Sequence, residues 1–239
     1  MLESHFSLGA GRSKRFFCLP PYGGSGIAYT GLHKALNEFE LICLNAPAHE
    51  DNFSRAAAEL IAQLEPEKPI HLLGYSGGGN FAFHVTRALE AMGRKVRTIL
   101  MIDSHRRLQA ATVETNIIVQ EIDDLMKAPE IAVYMESPAM RKDFRKRAIR
   151  YAEELYGRTD TGTVRADIGL LCAEGVFDTE PYKDQHGLLR SRRAWSECTT
   201  GRFVMENAKG SHERILSYPF VEDVARQVSS LFQRFTQKA

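Results

Sequence analysis

A serine set among glycines, Gly74-Tyr75-Ser76-Gly77-Gly78, is the feature of this 239-residue chain with the plainest chemical use. Composition alone produces G-x-S-x-G roughly 0.1 times in a chain of this size, so the motif needs its context. An apolar run, Ile70–Leu73, precedes it, and Gly79–Met92 follows with Phe81, Val85, Ala88 and Leu89 at helical spacing. Strand, sharp turn and helix are what a nucleophile elbow requires. Its glycines remove Cβ atoms where the turn crowds, and the Ser76 hydroxyl is left exposed above a sheet. A glycine-rich turn without chemistry is the plainer alternative, but it has no need of glycines at these spacings.

A hydroxyl is a weak nucleophile until a base takes its proton, and the base needs an acid to orient it. On such a scaffold the chain order is serine, acid, histidine. Of the eight histidines, His5, His33, His49, His71, His84 and His105 precede the last third of the chain and read as packing or surface residues. His186 and His212 remain. His212, in Gly210-Ser211-His212, follows the last expected strand by a short loop and is the expected base. Two acids compete, Asp103 and Asp178, each beyond the carboxyl end of an expected strand, so position does not separate them. Asp103 directly caps an apolar strand, where a carboxylate is costly unless partnered. Asp178 lies in a polar loop, where a solvated acid costs nothing. That favours Asp103, whose plainer role is an N-cap for the next segment. The oxyanion hole needs two N–H donors. Gly77 supplies one. The loop Pro20-Pro21-Tyr22-Gly23-Gly24 supplies the other, through Tyr22 because prolines cannot donate. Pro21, Gly24 and Tyr75 are the expected substrate contacts, the glycines allowing close approach.

The elements that must position these residues alternate. Strands are expected at Arg15–Leu19, Glu40–Leu44, Ile70–Leu73, Thr98–Ile102, Asp167–Cys172 and Arg202–Met205, the last leading through a loop, Glu206–Ser211, to His212. Helices are expected at about Ala28–Leu36, Asn52–Leu64, Gly79–Met92, weakly near Leu188–Trp195, and at Val221–Phe235. This is an α/β pattern, a mostly parallel sheet with helices on both faces, in which ligands bind beyond the carboxyl ends of the strands. One domain is expected over residues 1–239. The alternation breaks over about 104–165, where Val113–Met126 and Pro138–Tyr156 read as helices and no strand is evident, which is the pattern of a lid. In the second of these helices Met140, Phe144, Ala148, Tyr151 and Leu155 form a stripe. Arg141, Lys142, Arg145, Lys146, Arg147 and Arg150 lie largely off it, as a solvated face or, in a sharper reading, a basic docking surface.

Composition bounds the rest. The net charge of +1 gives no reason to expect nucleic acid, and no apolar run approaches the roughly 20 residues of a membrane span. The N-terminus lacks an apolar signal core. Cys18, Cys43, Cys172 and Cys198 show no CxxC spacing, so neither a zinc site nor a redox pair is expected, and a reducing cytoplasm is the default compartment.

Taken together, Phe17-Cys18-Leu19-Pro20-Pro21 followed by Gly24-x-Gly26-x-x-Tyr29, then Leu73 to Asn80, Ile102-Asp103-Ser104 and Gly210-Ser211-His212, resemble the terminal thioesterase domains of nonribosomal peptide synthetases, of the surfactin and fengycin type. The match spans nearly the whole chain, and the 27 residues from Ser76 to Asp103 fit the family's acid, which follows the strand after the elbow. The resemblance implies an α/β-hydrolase fold and no cofactor bound by the domain itself. The substrate, a peptidyl thioester, would arrive on the phosphopantetheine of an upstream peptidyl carrier domain, pass to Ser76 as an ester, and leave by macrocyclisation or hydrolysis. The chain departs from the pattern in two places. Many relatives have alanine at Gly77, and no carrier attachment motif precedes Arg15, as expected of an excised domain or a free-standing protein. The competing readings are a discrete type II editing thioesterase, a general serine esterase, and a non-catalytic binding module. The editing family favours Gly-His-Ser-Met-Gly, a single proline and an acid one strand later. Tyr75, Pro20-Pro21 and the Gly-Ser-His-Glu run argue against it, and the lack of a carrier segment argues for it.

Overall fold

A computed structural model of the chain describes residues 3–47, 52–127, 137–175 and 191–237. Its strands are β1 (His5–Leu8), β2 (Lys14–Leu19), β3 (Phe39–Leu44), β4 (Ile70–Tyr75), β5 (Val96–Ile102), β6 (Asp167–Gly175) and β7 (Phe203–Ser211). They form one sheet in the order β1-β3-β2-β4-β5-β6-β7. Only β1 runs antiparallel to its neighbour. The helices are α1 (Thr30–Ala35), α2 (Phe53–Leu64), α3 (Gly77–Ala91), α4 (Thr115–Leu125), α5 (Pro138–Tyr156) and α6 (Phe220–Thr236), with 3-10 turns at Gly26–Tyr29 and Ala194–Cys198.

The period of two along each strand builds two cores. Phe17, Leu19, Ile42 and Leu44 face one way, onto Phe53, Ala57 and Ile61 of α2 and Phe81, Val85 and Leu89 of α3. Phe16, Cys18, Leu41 and Cys43 face the other, onto Leu32 of α1 and Val224, Val228, Leu231 and Phe235 of α6. A sheet buried on both faces needs near-continuous apolar strands, and β3, with every residue buried, is one. Local signals set the helix starts. Asn52 caps α2 by accepting the Arg55 N–H at 3.0 Å. Ser137 caps α5 by accepting the Met140 N–H at 3.1 Å, with Pro138 in the first turn.

The structure corrects the sequence reading in three places. The edge strand β1 was not expected, because its four residues carry no apolar run. The expected loop Glu206–Ser211 is instead the second half of β7, paired from Ile168↔Phe203 to Gly175↔Ser211. Its polar residues are tolerated because β7 is the other edge of the sheet. The weak helix expected near Leu188–Trp195 lies partly outside the described residues; its described part is helical over 191–193 and passes into a 3-10 turn, Ala194–Cys198. Finally, Arg147 is not on a solvated face. It is buried, its guanidinium donating to Ala46 O and Asp143 Oδ2 at 3.0 Å each, while Met140, expected in the apolar stripe, is exposed. Within the insertion α4 and α5 share a small core of their own, Ile118, Ile122, Phe144, Ala148 and Ala152. Asp178 and His186 lie outside the described residues.

Candidate active site

β4 ends at Tyr75, and the chain turns at Ser76 with φ 53° and ψ −128° straight into α3, two residues earlier than its expected start. The turn is as tight as its glycines suggest. A Cβ on Gly74 would lie 2.3 Å from Gly78 O, and one on Gly78 would lie 2.4 Å from Leu19 O, both immovable backbone. Asp103, immediately after β5, has φ 47°, and among the described residues these two are the non-glycine positions with positive φ. Left-handed backbone costs about 1–3 kcal/mol at such residues and persists only where the surroundings enforce it. Here the enforcement is visible. Ser76 N–H donates to Ile102 O at 2.9 Å and Asp103 N–H to Leu171 O at 2.7 Å, and the Ser104 hydroxyl donates to Ser76 O at 2.7 Å.

The three residues singled out for chemistry meet. His212 Nε2 lies 3.0 Å from Ser76 Oγ, and His212 Nδ1 lies 2.7 Å from Asp103 Oδ2. Residues from three strand ends thus share one line of hydrogen bonds. Asp103 is 1% exposed. Burial alone would raise its carboxyl, but the His212 hydrogen bond and the Arg192 charge outweigh this and hold it below the usual carboxylate range. Its other oxygen, Oδ1, accepts from the Ala173 N–H at 3.0 Å and from Arg192 at 2.5 Å.

The remaining expectations fare differently. Gly77 is the first residue of α3, where N–H groups lack intrahelical acceptors, and Tyr22 lies in the turn closed by Gly24 N–H to Pro21 O at 3.0 Å. Tyr75 does not present its hydroxyl to a substrate. It donates to His212 O at 2.6 Å, and its ring lies 5.2 Å from the His212 ring, so it braces the histidine loop. Pro21 and Gly24 are buried. Gly24 packs on Ala46 and Tyr151, and Gly23 on Leu125, so this loop receives the two helices of the insertion. Tyr29, buried, ties the loop ends together. Its hydroxyl donates to Leu19 O at 2.5 Å and accepts the Tyr75 N–H at 2.8 Å. A cavity of about 390 Å³ beside α5, bordered by Ala46, Phe53, Tyr151 and Arg158, is lined by none of Ser76, Asp103 and His212.

Sequence reasoning missed two neighbours. His105 reads in the sequence as a packing or surface residue; both its ring nitrogens are buried without a hydrogen-bond partner, and burial pushes it down to about 4. Arg192, in a run of basic residues, gave no signal. Asp103, His105 and His212 bring potential ligand atoms within 4.8 Å of one another. However, Asp103 and His212 already bond each other, and the guanidinium on Asp103 opposes a second cation. No described helix is long and apolar enough to cross a membrane.

Comparison with known proteins shows the family and the fold. The thioesterase domain model matches residues 14–232. The chain is 28% identical over 200 residues to surfactin synthase subunit 3 of Bacillus subtilis (strain 168), covering 84% of this chain and 15% of that protein. It is 26% identical over 239 residues to tyrocidine synthase 3 of Brevibacillus parabrevis, covering 95% of this chain and 4% of that one. The chain therefore spans a small part of these relatives' length. Its structure superposes on the thioesterase domain that cyclises the lipopeptide antibiotic surfactin with a TM-score of 0.83 at 26% identity, over 99% of this chain and 97% of the other. A four-domain nonribosomal peptide synthetase matches in fold, with a TM-score of 0.70 at 19% identity. With an α/β-hydrolase sheet, a strained serine at its elbow and a family match across residues 14–232, this chain belongs to the thioesterase domain family of hydrolases.

Proposed function

We propose that the chain releases a peptide from the phosphopantetheine thioester of a carrier protein through an acyl ester on Ser76. The observation that carries this reading is the hydrogen-bonded line Ser76–His212–Asp103. As the Ser76 oxygen attacks the thioester carbonyl, His212 Nε2 takes its proton. Asp103 holds the ring by Nδ1 and offsets the charge it gains. The oxyanion would rest on the N–H groups of Gly77 and Tyr22. Collapse breaks the carbon–sulfur bond, and His212 returns the proton to the departing thiol. An amine or hydroxyl of the same peptide, or water, then attacks the ester. His212 accepts that nucleophile's proton and passes it to the Ser76 oxygen as the ester breaks.

The partner in this reading is an upstream peptidyl carrier domain. The likeness to the surfactin thioesterase supports a peptidyl rather than a short acyl substrate. So does the position of the proposed acid, Asp103, which follows β5 and bonds His212, whereas an editing thioesterase favours an acid one strand later.

The test is intact-protein mass spectrometry with a peptidyl thioester. The wild type should gain the acyl mass and Ser76→Ala should not, with turnover down by several orders of magnitude. An adduct that survives in Ser76→Ala would sink the assignment. Product analysis with a long peptidyl thioester separates the two outcomes: a ring indicates cyclisation, and free acid alone favours hydrolysis.

A further inference from the structure

The Asp103 carboxylate has two oxygens and unequal company. Oδ2 faces His212 Nδ1. Oδ1 is taken by Arg192 Nη2 and by the Ala173 N–H. With Oδ1 gripped from two directions, the carboxylate cannot rotate, and Oδ2 stays aimed at the histidine. The pair is sheltered, the Arg192 side chain being 12% exposed.

The arginine is delivered by a segment clamped to the strand end that bears Asp103. Trp195, fully buried, donates its Nε1–H to Ser104 O at 3.0 Å. Arg106 reaches the same segment, donating to Ala194 O at 2.9 Å and to Glu197 at 2.6 Å. Residues 104–106 therefore hold 194–197, and Arg192 arrives on Asp103 from a fixed support.

We infer that Arg192 is a positioning residue for the reaction: it fixes Asp103 and supplies the positive charge that disfavours proton uptake by the Asp103–His212 pair. This rests on the proposed roles of Ser76, His212 and Asp103. Two carboxylate-linked groups titrate as a unit. The working form of the pair carries one negative charge and the inactive protonated form none. A neighbouring cation favours the negative form, so activity extends to lower pH with Arg192 than without it. The other groups facing the pair do not supply that charge. His105 is held neutral down to about 4, chiefly by burial. Burial raises the Cys172 thiol to about 11 and the Tyr75 hydroxyl well above its ordinary range. Glu213, near Tyr75, carries the opposite sign. Arg107 acts on His105 rather than bonding Asp103.

The experiment follows the rate of Ser76 labelling by a fluorophosphonate against pH, with Ser76→Ala as control, in wild type, Arg192→Met and Arg192→Lys. Labelling needs no carrier and no product release. In Arg192→Met the acid limb should move up by about one pH unit. In Arg192→Lys, which keeps the charge, it should stay within a few tenths of the wild type, with a lower plateau from the lost geometry. A limb unmoved in Arg192→Met, or moved equally in Arg192→Lys, overturns the inference while leaving Ser76 as nucleophile. Label found elsewhere than Ser76 overturns the nucleophile and this inference with it. Should Arg192→Met not fold, Arg192→Gln, which keeps hydrogen-bond donors without the charge, carries the same expectation.

Discussion

Among the described residues, two non-glycine positions adopt a backbone conformation their side chains disfavour, and they are the serine and the aspartate that meet His212. Strain of that kind is kept where the surroundings over-determine it, and the bonds from Ile102, Leu171 and Ser104 do so. Ser76 was legible because its turn demands glycines, and glycines are visible in a sequence. His212 was legible by elimination along the chain. Asp103 was legible because a carboxylate at the end of an apolar strand asks for a partner. Arg192 was not, since Ser191-Arg192-Arg193 reads like any solvated basic run and nothing local announces a buried carboxylate 89 positions away. The bracing role of Tyr75 was not legible for a related reason, because its bond to His212 O spans 137 positions. Asp103→Asn should keep the geometry yet favour the wrong imidazole tautomer, lowering kcat by about 10³–10⁴-fold. Steady-state turnover of a peptidyl thioester, with circular dichroism to show an intact fold, measures it. A loss below tenfold would move the acid elsewhere, with Asp178→Asn the comparison.

At the scale of elements, the insertion is fastened to the elbow rather than merely laid over it. Tyr151 of α5 donates its hydroxyl to Pro20 O and stacks on Phe81 at 4.4 Å. Leu155, one turn on, occupies the space beside Gly77. A Cβ on Gly77 would lie 2.6 Å from Leu155 Cδ2. That contact accounts for glycine at position 77: the place a methyl would take is filled by a side chain from the insertion. Gly77→Ala should therefore destabilise by about 1 kcal/mol, the overpacking outweighing the gain in helix propensity. Shortening the neighbour, in Gly77→Ala with Leu155→Val, should recover most of the loss. Urea unfolding of the two single variants and the double variant tests the coupling, and simple additivity would contradict it. The helices of the insertion were readable from their period. Their attachment was not, because Arg147 and Gly23 serve contacts between elements distant in sequence. The second half of β7 was hidden for another reason: an edge strand can be polar, so its residues mimic a loop.

For the whole molecule, burial makes stability depend on keeping imidazoles uncharged, His71 and His105 above all. His71 on β4 bonds Thr98 Oγ1 of β5 at 2.9 Å and packs 4.8 Å from the Phe232 ring of α6. Burial, assisted by Arg97, lowers it to about 4, and burial lowers His105 to a similar value. In the unfolded chain both titrate near 6.5. Between those limits the unfolded state binds protons that the folded state refuses, so stability is lost as pH falls from about 6.5 towards 4 and is unaffected by these groups above 6.5. At pH 5 each histidine should cost about 2 kcal/mol relative to pH 7, a large share of the stability of an ordinary domain. The two can be told apart because only His105 lies beside the Ser76–His212–Asp103 line. His71→Gln should remove about 2 kcal/mol of the fall between pH 7 and pH 5 in urea unfolding while leaving the pH dependence of Ser76 labelling in place. A fall that is unchanged in His71→Gln would mean that the protons enter elsewhere, and a variant whose labelling profile also moved would mean that β4 transmits the change to the elbow it ends in.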